Sequence, residues 1–248
     1  MILGVAALAG NISRIRATST PLIVSTSLWV HYNIADTESY PGSGVSIYDI
    51  SGNGNTRLDF VGSPTYDTTN GIPSIQINAP EASYLTSQGN LGISGSNSRS
   101  FEVWAYVSQS DAYTNVMGLG VGSNSAMMDT LVSNTGGFYR AEGHYYGVDN
   151  SSTWPSSTTI NNAAWNQIVH TYDSSKTFMY INGVQQGSGY TVALNTTDNK
   201  LHVGWGNYPD VDIFTGRIGN VKVYKDYALS GAEALQNYNA LKASYGLS

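Results

Sequence analysis

From Ser27 onward, apolar side chains recur at every second position in short runs separated by turn formers, a period that fits β-strands and little else. Leu28, Val30 and Tyr32 alternate with Trp29, His31 and Asn33, and further runs cover residues 45–50, 58–61, 74–78, 101–107, 115–121, 126–132, 138–146, 165–172, 177–181, 201–205 and 213–224. In the run at 101–107, Phe101, Val103, Ala105 and Val107 share one face, and Glu102, Trp104 and Tyr106 share the other. Between two strand-like runs sits Asn182-Gly183, the pair a type I′ hairpin turn demands because both central residues need positive φ. No strand–helix–strand alternation appears, which argues against a parallel sheet.

The segments Ser39-Tyr-Pro-Gly-Ser-Gly44 and Asp49-Ile-Ser-Gly-Asn-Gly-Asn55 place a proline and four glycines among small polar residues, the chemistry of tight loops leaving strands. Composition agrees. Only 11% of residues are charged, while glycine numbers 27 and tyrosine 18, which suits many short strands rather than long surface helices.

One helix is expected. Ser230-Gly-Ala-Glu233 is a capping box, Leu235, Tyr238, Leu241 and Tyr245 follow at helical spacing, and Gly246 can end the turn. The helix near 230–245 should lay that stripe on the β body. Residues 1–26 lack the alternation and read as an N-terminal arm, with residues 27–248 as the domain. The arm either folds on its own domain or docks on a neighbouring subunit. Its apolar start, residues 2–10, is about half the ~20 residues a membrane span needs. Ala7-Leu-Ala9 mimics a signal-peptidase site, but the positive leader is missing, so the segment is read as mature structure.

Other classes recede on charge and chemistry. The formal net charge is −6 and the basic residues are scattered, Arg14 and Arg16 being the nearest to a patch, so a nucleic-acid partner is not expected. With no cysteine there is no disulfide framework or thiolate site.

The ordered set of motifs resembles the laminin-G-like, concanavalin A-type jelly rolls. Tyr40-Pro-Gly-Ser-Gly44, the 49–55 segment and Pro64-Thr-Tyr66 resemble the first third of that family, and the run at 101–106 its first long inner strand. Trp165-Asn-Gln-Ile-Val-His170, Met179-Tyr-Ile-Asn-Gly183 and the run at 214–224 with Ala228-Leu-Ser230 resemble its later strands and terminal helix. The tail at 235–246, joined to the 39–44 loop, is similar to the version found in structural proteins of tailed bacteriophages. The resemblance implies an all-β fold, an antiparallel two-sheet jelly-roll sandwich with a short C-terminal helix and an extended N-terminal arm. It also implies carbohydrate binding, adhesion or particle decoration, and occasionally glycoside hydrolysis.

Retaining glycosidases need two carboxylates about 5–5.5 Å apart. The related glucanases carry them as Glu-x-Asp-x-x-Glu, and none of Glu38, Glu81, Glu102, Glu142 and Glu233 has an aspartate two places on. No G-x-S-x-G elbow or H-x-x-x-H spacing occurs, and His31, His170 and His202 fall within strands as structural histidines, so no enzyme is expected. Calcium is a candidate ligand. Asp49, Asn53 and Asn55 offer the hard oxygens Ca²⁺ prefers, with Asp36 to replace the acidic residue that relatives carry where this chain has Asn220. The alternative is a metal-free turn held by its own Asx hydrogen bonds. For a glycan, Trp205, Asn207, Tyr208, Asp210 and Asp212 combine aromatic faces with short polar groups; His144, Tyr145, Tyr146, Asp149, Trp154 and Pro155 are lesser candidates.

The expectation that follows is a binding protein of a phage virion, a decoration or short-fibre protein. Residues 1–26 would anchor it to other virion proteins, and it would work as a homo-oligomer. The alternative is a tail or secreted lectin that meets a host-surface glycan.

Overall fold

The computed structural model describes residues 22–78, 83–108, 113–135, 138–148, 160–206 and 214–248. In chain order the strands are β1 (Leu28–Asn33), β2 (Ser46–Ile47), β3 (Leu58–Val61), β4 (Thr65–Asp67), β5 (Ser74–Ile77), β6 (Tyr84–Asn90), β7 (Arg99–Val107), β8 (Tyr113–Gly120), β9 (Met127–Thr135), β10 (Phe138–His144), β11 (Ala164–Tyr172), β12 (Lys176–Ile181), β13 (Val184–Thr191), β14 (Lys200–Val203) and β15 (Gly216–Lys225). Helix α1 (Gly231–Leu241) follows.

They form two antiparallel sheets. The eight-stranded sheet runs β13-β12-β11-β7-β15-β5-β4, with β1 also paired to β15. The seven-stranded sheet runs β10-β9-β8-β14-β6-β3-β2. The length of β15 lets it serve two neighbours on one edge: β5 takes Gly216–Ile218 and β1 takes Asn220–Tyr224.

The core lies between the sheets. Phe101, Val103, Ala105 and Val107 meet Leu85, Met128 and Leu201 there, as the alternation requires. Burial of each large apolar side chain contributes roughly 1.5–3 kcal/mol. The opposite face of β7 is buried too, because α1 covers it: Glu102 and Trp104 are fully enclosed. The hairpin at Asn182 (φ 51) and Gly183 (φ 76) has the two left-handed residues that the sequence demands.

The capping box forms as read, with Ser230 Oγ accepting the Glu233 N–H and Glu233 Oε2 accepting the Ser230 N–H. Gly246, at φ 72, closes the final turn. The expected stripe is met at Tyr238, Leu241 and Tyr245, which pack around Trp104, but not at Leu235, which is 43% exposed while Ala234 and Asn237 sit against the sheet. The reason is the carboxylate beneath: Asn237 Nδ2 donates to Glu102 Oε2 at 2.6 Å.

Asn237 also holds the first described residues. The Val24 N–H donates to Asn237 Oδ1 at 2.7 Å, the Tyr224 hydroxyl donates to the Val24 carbonyl at 3.1 Å, and Gln236 donates to the Leu22 carbonyl. Residues 22–24 therefore lie on their own domain; residues 1–21 lie outside the described residues. Among the described residues no helix is long and apolar enough to cross a membrane.

Two strands lack an expected counterpart, β4 and β6. In β6 the inward position after Leu85 is Ser87, so the alternation is half polar. That serine is satisfied inside, donating to the Gly89 carbonyl and accepting the Leu201 N–H.

Candidate functional site

Strand register builds one continuous lateral row across the outer face of the seven-stranded sheet. His144 pairs with Asp129, Asp129 with Gly118, Gly118 with His202, His202 with Thr86, Thr86 with Asp59 and Asp59 with Ser46. Their chain neighbours Met128, Leu201, Leu85, Leu58 and Ile47 enter the core, so alternation sends the row outward. A bulge between Asn115 and Met117 lets Val116 and Met117 both turn inward and brings Asn115 and Gly118 onto this face. Gly118 must lack a side chain, since a Cβ there would collide with the Asp129 carboxylate.

Just beyond β14, Gly204 at φ +85 breaks the alternation, and a Cβ there would strike Ile77 of the core. The chain thereby turns Trp205 outward. Its indole stacks on Tyr84 with ring centroids 4.8 Å apart and planes 22° apart, and His202 meets the two rings edge-on at 5.1 and 5.7 Å. Trp205 and Tyr84 are both half-buried.

The polar groups around this pair are unusually short of partners. Asn115 Nδ2 donates to Asp129 Oδ2 at 2.7 Å, but among the described residues Asn115 Oδ1, His202 Nδ1 and Thr86 Oγ1 are buried without a hydrogen bond. Each such atom costs about 1–3 kcal/mol. Burial, aided by nearby Lys200, lowers the His202 pKa to about 4, so the imidazole is neutral at neutral pH and offers one donor and one acceptor. At the accessible end, Asp59 accepts from Ser46 Oγ and Arg57 Nε, both at 2.7 Å. Burial raises its pKa, but those donors hold it below the ordinary carboxylate range.

Two carboxylates share the buried end. Asp129 and Glu142 are diagonal neighbours on β9 and β10, Glu142 lying opposite Leu131. Burial pushes the Glu142 pKa up, against the hydrogen bond donated by Ser133. Each carboxylate is engaged by a neutral donor of the protein and is almost wholly enclosed.

Of the expected glycan residues, Trp205 belongs to this surface; Asn207, Tyr208, Asp210 and Asp212 lie outside the described residues, as do Asp149, Trp154 and Pro155. His144 closes the row opposite Asp129. Tyr145 is a core residue, donating to Thr177 Oγ1 at 2.7 Å and bonded to His170 Nε2 at 2.9 Å. His170, completed by Thr130 at 3.0 Å, has its pKa lowered to about 3 by burial and then by Arg99, and it serves the core. Tyr84, Thr86, Asn115 and Asp129 were not expected. The bulge conceals the facing of Asn115, and the polar alternation conceals β6.

The 49–55 turn is organised by its own carboxylate. Asp49 Oδ1 accepts the N–H groups of His31 (2.8 Å) and Ser51 (2.9 Å), and Oδ2 accepts the Ser51 hydroxyl (2.9 Å) and the Asn55 N–H (3.1 Å). Asn53 and Asn55 direct their amides to the carbonyls of Leu28 and Trp29. Asp36 accepts the Glu38 N–H within its own turn. These bonds engage the Asp49 oxygens an ion would otherwise use. Among the described residues no group of three or more His, Asp or Glu side chains is arranged to hold a metal.

A profile of the Concanavalin A-like lectin/glucanases superfamily matches residues 79–234. No curated protein sequence matches the chain. Among solved structures, domain 4 of AbnA, a GH43 extracellular arabinanase from Geobacillus stearothermophilus in complex with arabinotriose, superposes with a TM-score of 0.62 at 16% identity, over 86% of this chain and 98% of that one. Trypanosoma rangeli sialidase gives 0.60 at 11% identity, with 88% of this chain spanning 34% of the enzyme. The botulinum neurotoxin type G receptor binding domain gives 0.55 at 13%, with 86% of this chain spanning 51% of that domain. The chain thus spans about a third of the sialidase and half of the toxin domain, and at these identities the likeness is one of fold.

Proposed function

The chain belongs to the Concanavalin A-like lectin/glucanases superfamily, and on that footing we propose that it is a glycan-binding module that uses the outer face of its seven-stranded sheet. The observation that carries this reading is the half-buried Trp205–Tyr84 pair set beside unpaired polar atoms of Thr86, His202 and Asn115. An aromatic plane with flanking hydrogen-bond groups suits a sugar ring, whose C–H face is apolar and whose hydroxyls are both donors and acceptors. Binding rather than hydrolysis is proposed because Asp129 and Glu142 are enclosed and already engaged. Arabino-oligosaccharides are the first probes, since AbnA domain 4 was solved with arabinotriose, followed by a broad glycan array. Trp205→Ala is expected to weaken binding at least about tenfold while leaving the circular dichroism spectrum intact. No binding by folded protein across the array would overturn this reading.

A second reading places the module on a virus particle, through the likeness of its tail and 39–44 loop to phage structural proteins. The observation favouring a tether is that residues 22–24 are clamped to α1 and β15, so the preceding residues start from a fixed point. Deletion of residues 1–21, sparing that clamp, is expected to leave a folded domain that no longer joins the particle. Unchanged incorporation would dismiss the tether.

A further inference from the structure

A cleft of about 470 Å³ opens where β1, the end of β15 and the 49–55 turn meet, lined by Ser25, Ser27, Trp29, Asn53, Lys225 and Asp226. It shares no residue with the Trp205 surface. Its centre is a cation. Lys225 Nζ lies 4.3 Å from the centroid of the Trp29 ring, and the lysine is half-buried. Among the described residues no carboxylate pairs with it. The adjacent Asp226 has Oδ1 taken by Asn97 Nδ2 at 2.9 Å. Gly92, at φ +69, gives the ammonium room, since a Cβ there would stand only 3.0 Å from Nζ.

The walls are constrained as well. Ser27 (φ 55) and Asp226 (φ 57) are both non-glycine residues in left-handed backbone, and both line this cleft. Ser27 is tied to the neighbour of Asp226, since the Lys225 N–H donates to the Ser27 carbonyl at 3.1 Å. Such strained residues gather at ligand clamps. Asn53 is fixed by donating its amide to the Leu28 carbonyl at 2.7 Å and to Ser51 Oγ at 3.1 Å, while its Oδ1 accepts no hydrogen bond among the described residues. A fixed cation, a fixed acceptor and two serines therefore converge on a space that holds a ring or two.

We propose that this cleft binds an acidic saccharide, with Lys225 pairing to the carboxylate and Asn53, Ser25 and Ser27 taking ring hydroxyls. The attraction is charge-assisted and directional, and the surrounding hydroxyl and amide groups select a polyhydroxylated anion over a simple one. The test is calorimetric titration of the full chain with glucuronate, galacturonate and N-acetylneuraminate, with glucose and acetate as controls. At least one acidic sugar is expected to bind, weakening with added salt, with both controls at least tenfold weaker. Lys225→Met is expected to lose about tenfold or more, with at most a small shift of the melting curve, because only the contact with the Trp29 ring is lost and no ion pair is broken. Lys225→Glu should abolish binding at the cleft, and the same dependence on Lys225 should persist in a Trp205→Ala background, which separates this site from the sheet surface. The proposal is overturned if no acidic sugar binds, if acetate binds as well as the sugars, or if both Lys225 variants bind as the parent does.

Discussion

Glu102→Ala is expected to lower the unfolding free energy by about 3–5 kcal/mol, because it strands a buried ammonium. Lys222 Nζ donates to Glu102 Oε1 at 2.9 Å, and both side chains have zero solvent exposure. The same oxygen accepts from Gln167 Nε2 at 3.1 Å, and Oε2 accepts from Asn237 of α1. Removing the carboxylate would strip the cation of its partner and leave Gln167 and Asn237 with only their second acceptors, the Ala234 carbonyl and the Tyr224 hydroxyl. The disturbance would spread to Val24 and Tyr224, which both meet Asn237. Urea denaturation at neutral pH would measure the loss. The double variant Glu102→Gln, Lys222→Met should recover much of it, since the cost lies in the unpaired charge rather than in the missing attraction. A single-mutant loss below about 1 kcal/mol would contradict this account.

Trp104→Ala is expected, taken alone, to cost about 3–5 kcal/mol and to loosen the helix from the sheet. The indole is fully buried on the outer face of β7. Tyr245 stacks on it with centroids 4.2 Å apart and planes 8° apart, and Tyr238 lies nearly parallel at 5.9 Å. Trp165 packs on Tyr245 from the next strand at 4.7 Å. These rings form one aromatic cluster between the C-terminal segment and the body. Its loss should expose residues 231–248 to limited proteolysis while the strands persist in far-ultraviolet dichroism. Equal protease resistance in parent and variant would show that the polar ties of Asn237 suffice alone.

The two sheets were legible where one face of a strand is uniformly apolar. Residues 101–107 reveal both faces of β7, Asn182-Gly183 the hairpin between β12 and β13, and Ser230 with Glu233 the helix start, because each is a local chemical requirement. The site was legible only at Trp205 and, among the lesser candidates, His144. Tyr84 sits in a strand whose interior contains a satisfied serine, and Asn115 faces outward only because of a bulge. Neither device leaves a periodic trace. The exposure of Leu235 escaped for a related reason: its helical spacing is correct, but the buried Glu102 carboxylate, 135 positions from Asn237 in sequence, decides which face turns down.

The pairing of β1 with β15 has a consequence for biosynthesis. His31 and Asn220, which touch, are separated by 189 positions. A ribosome adding roughly 5–20 residues per second would leave the first strand without its partner for about 10–40 seconds. During that interval an apolar ribbon containing Leu28, Val30 and Tyr32 has no edge to join, so nascent chains should depend on a holding chaperone until the last tenth of the protein emerges.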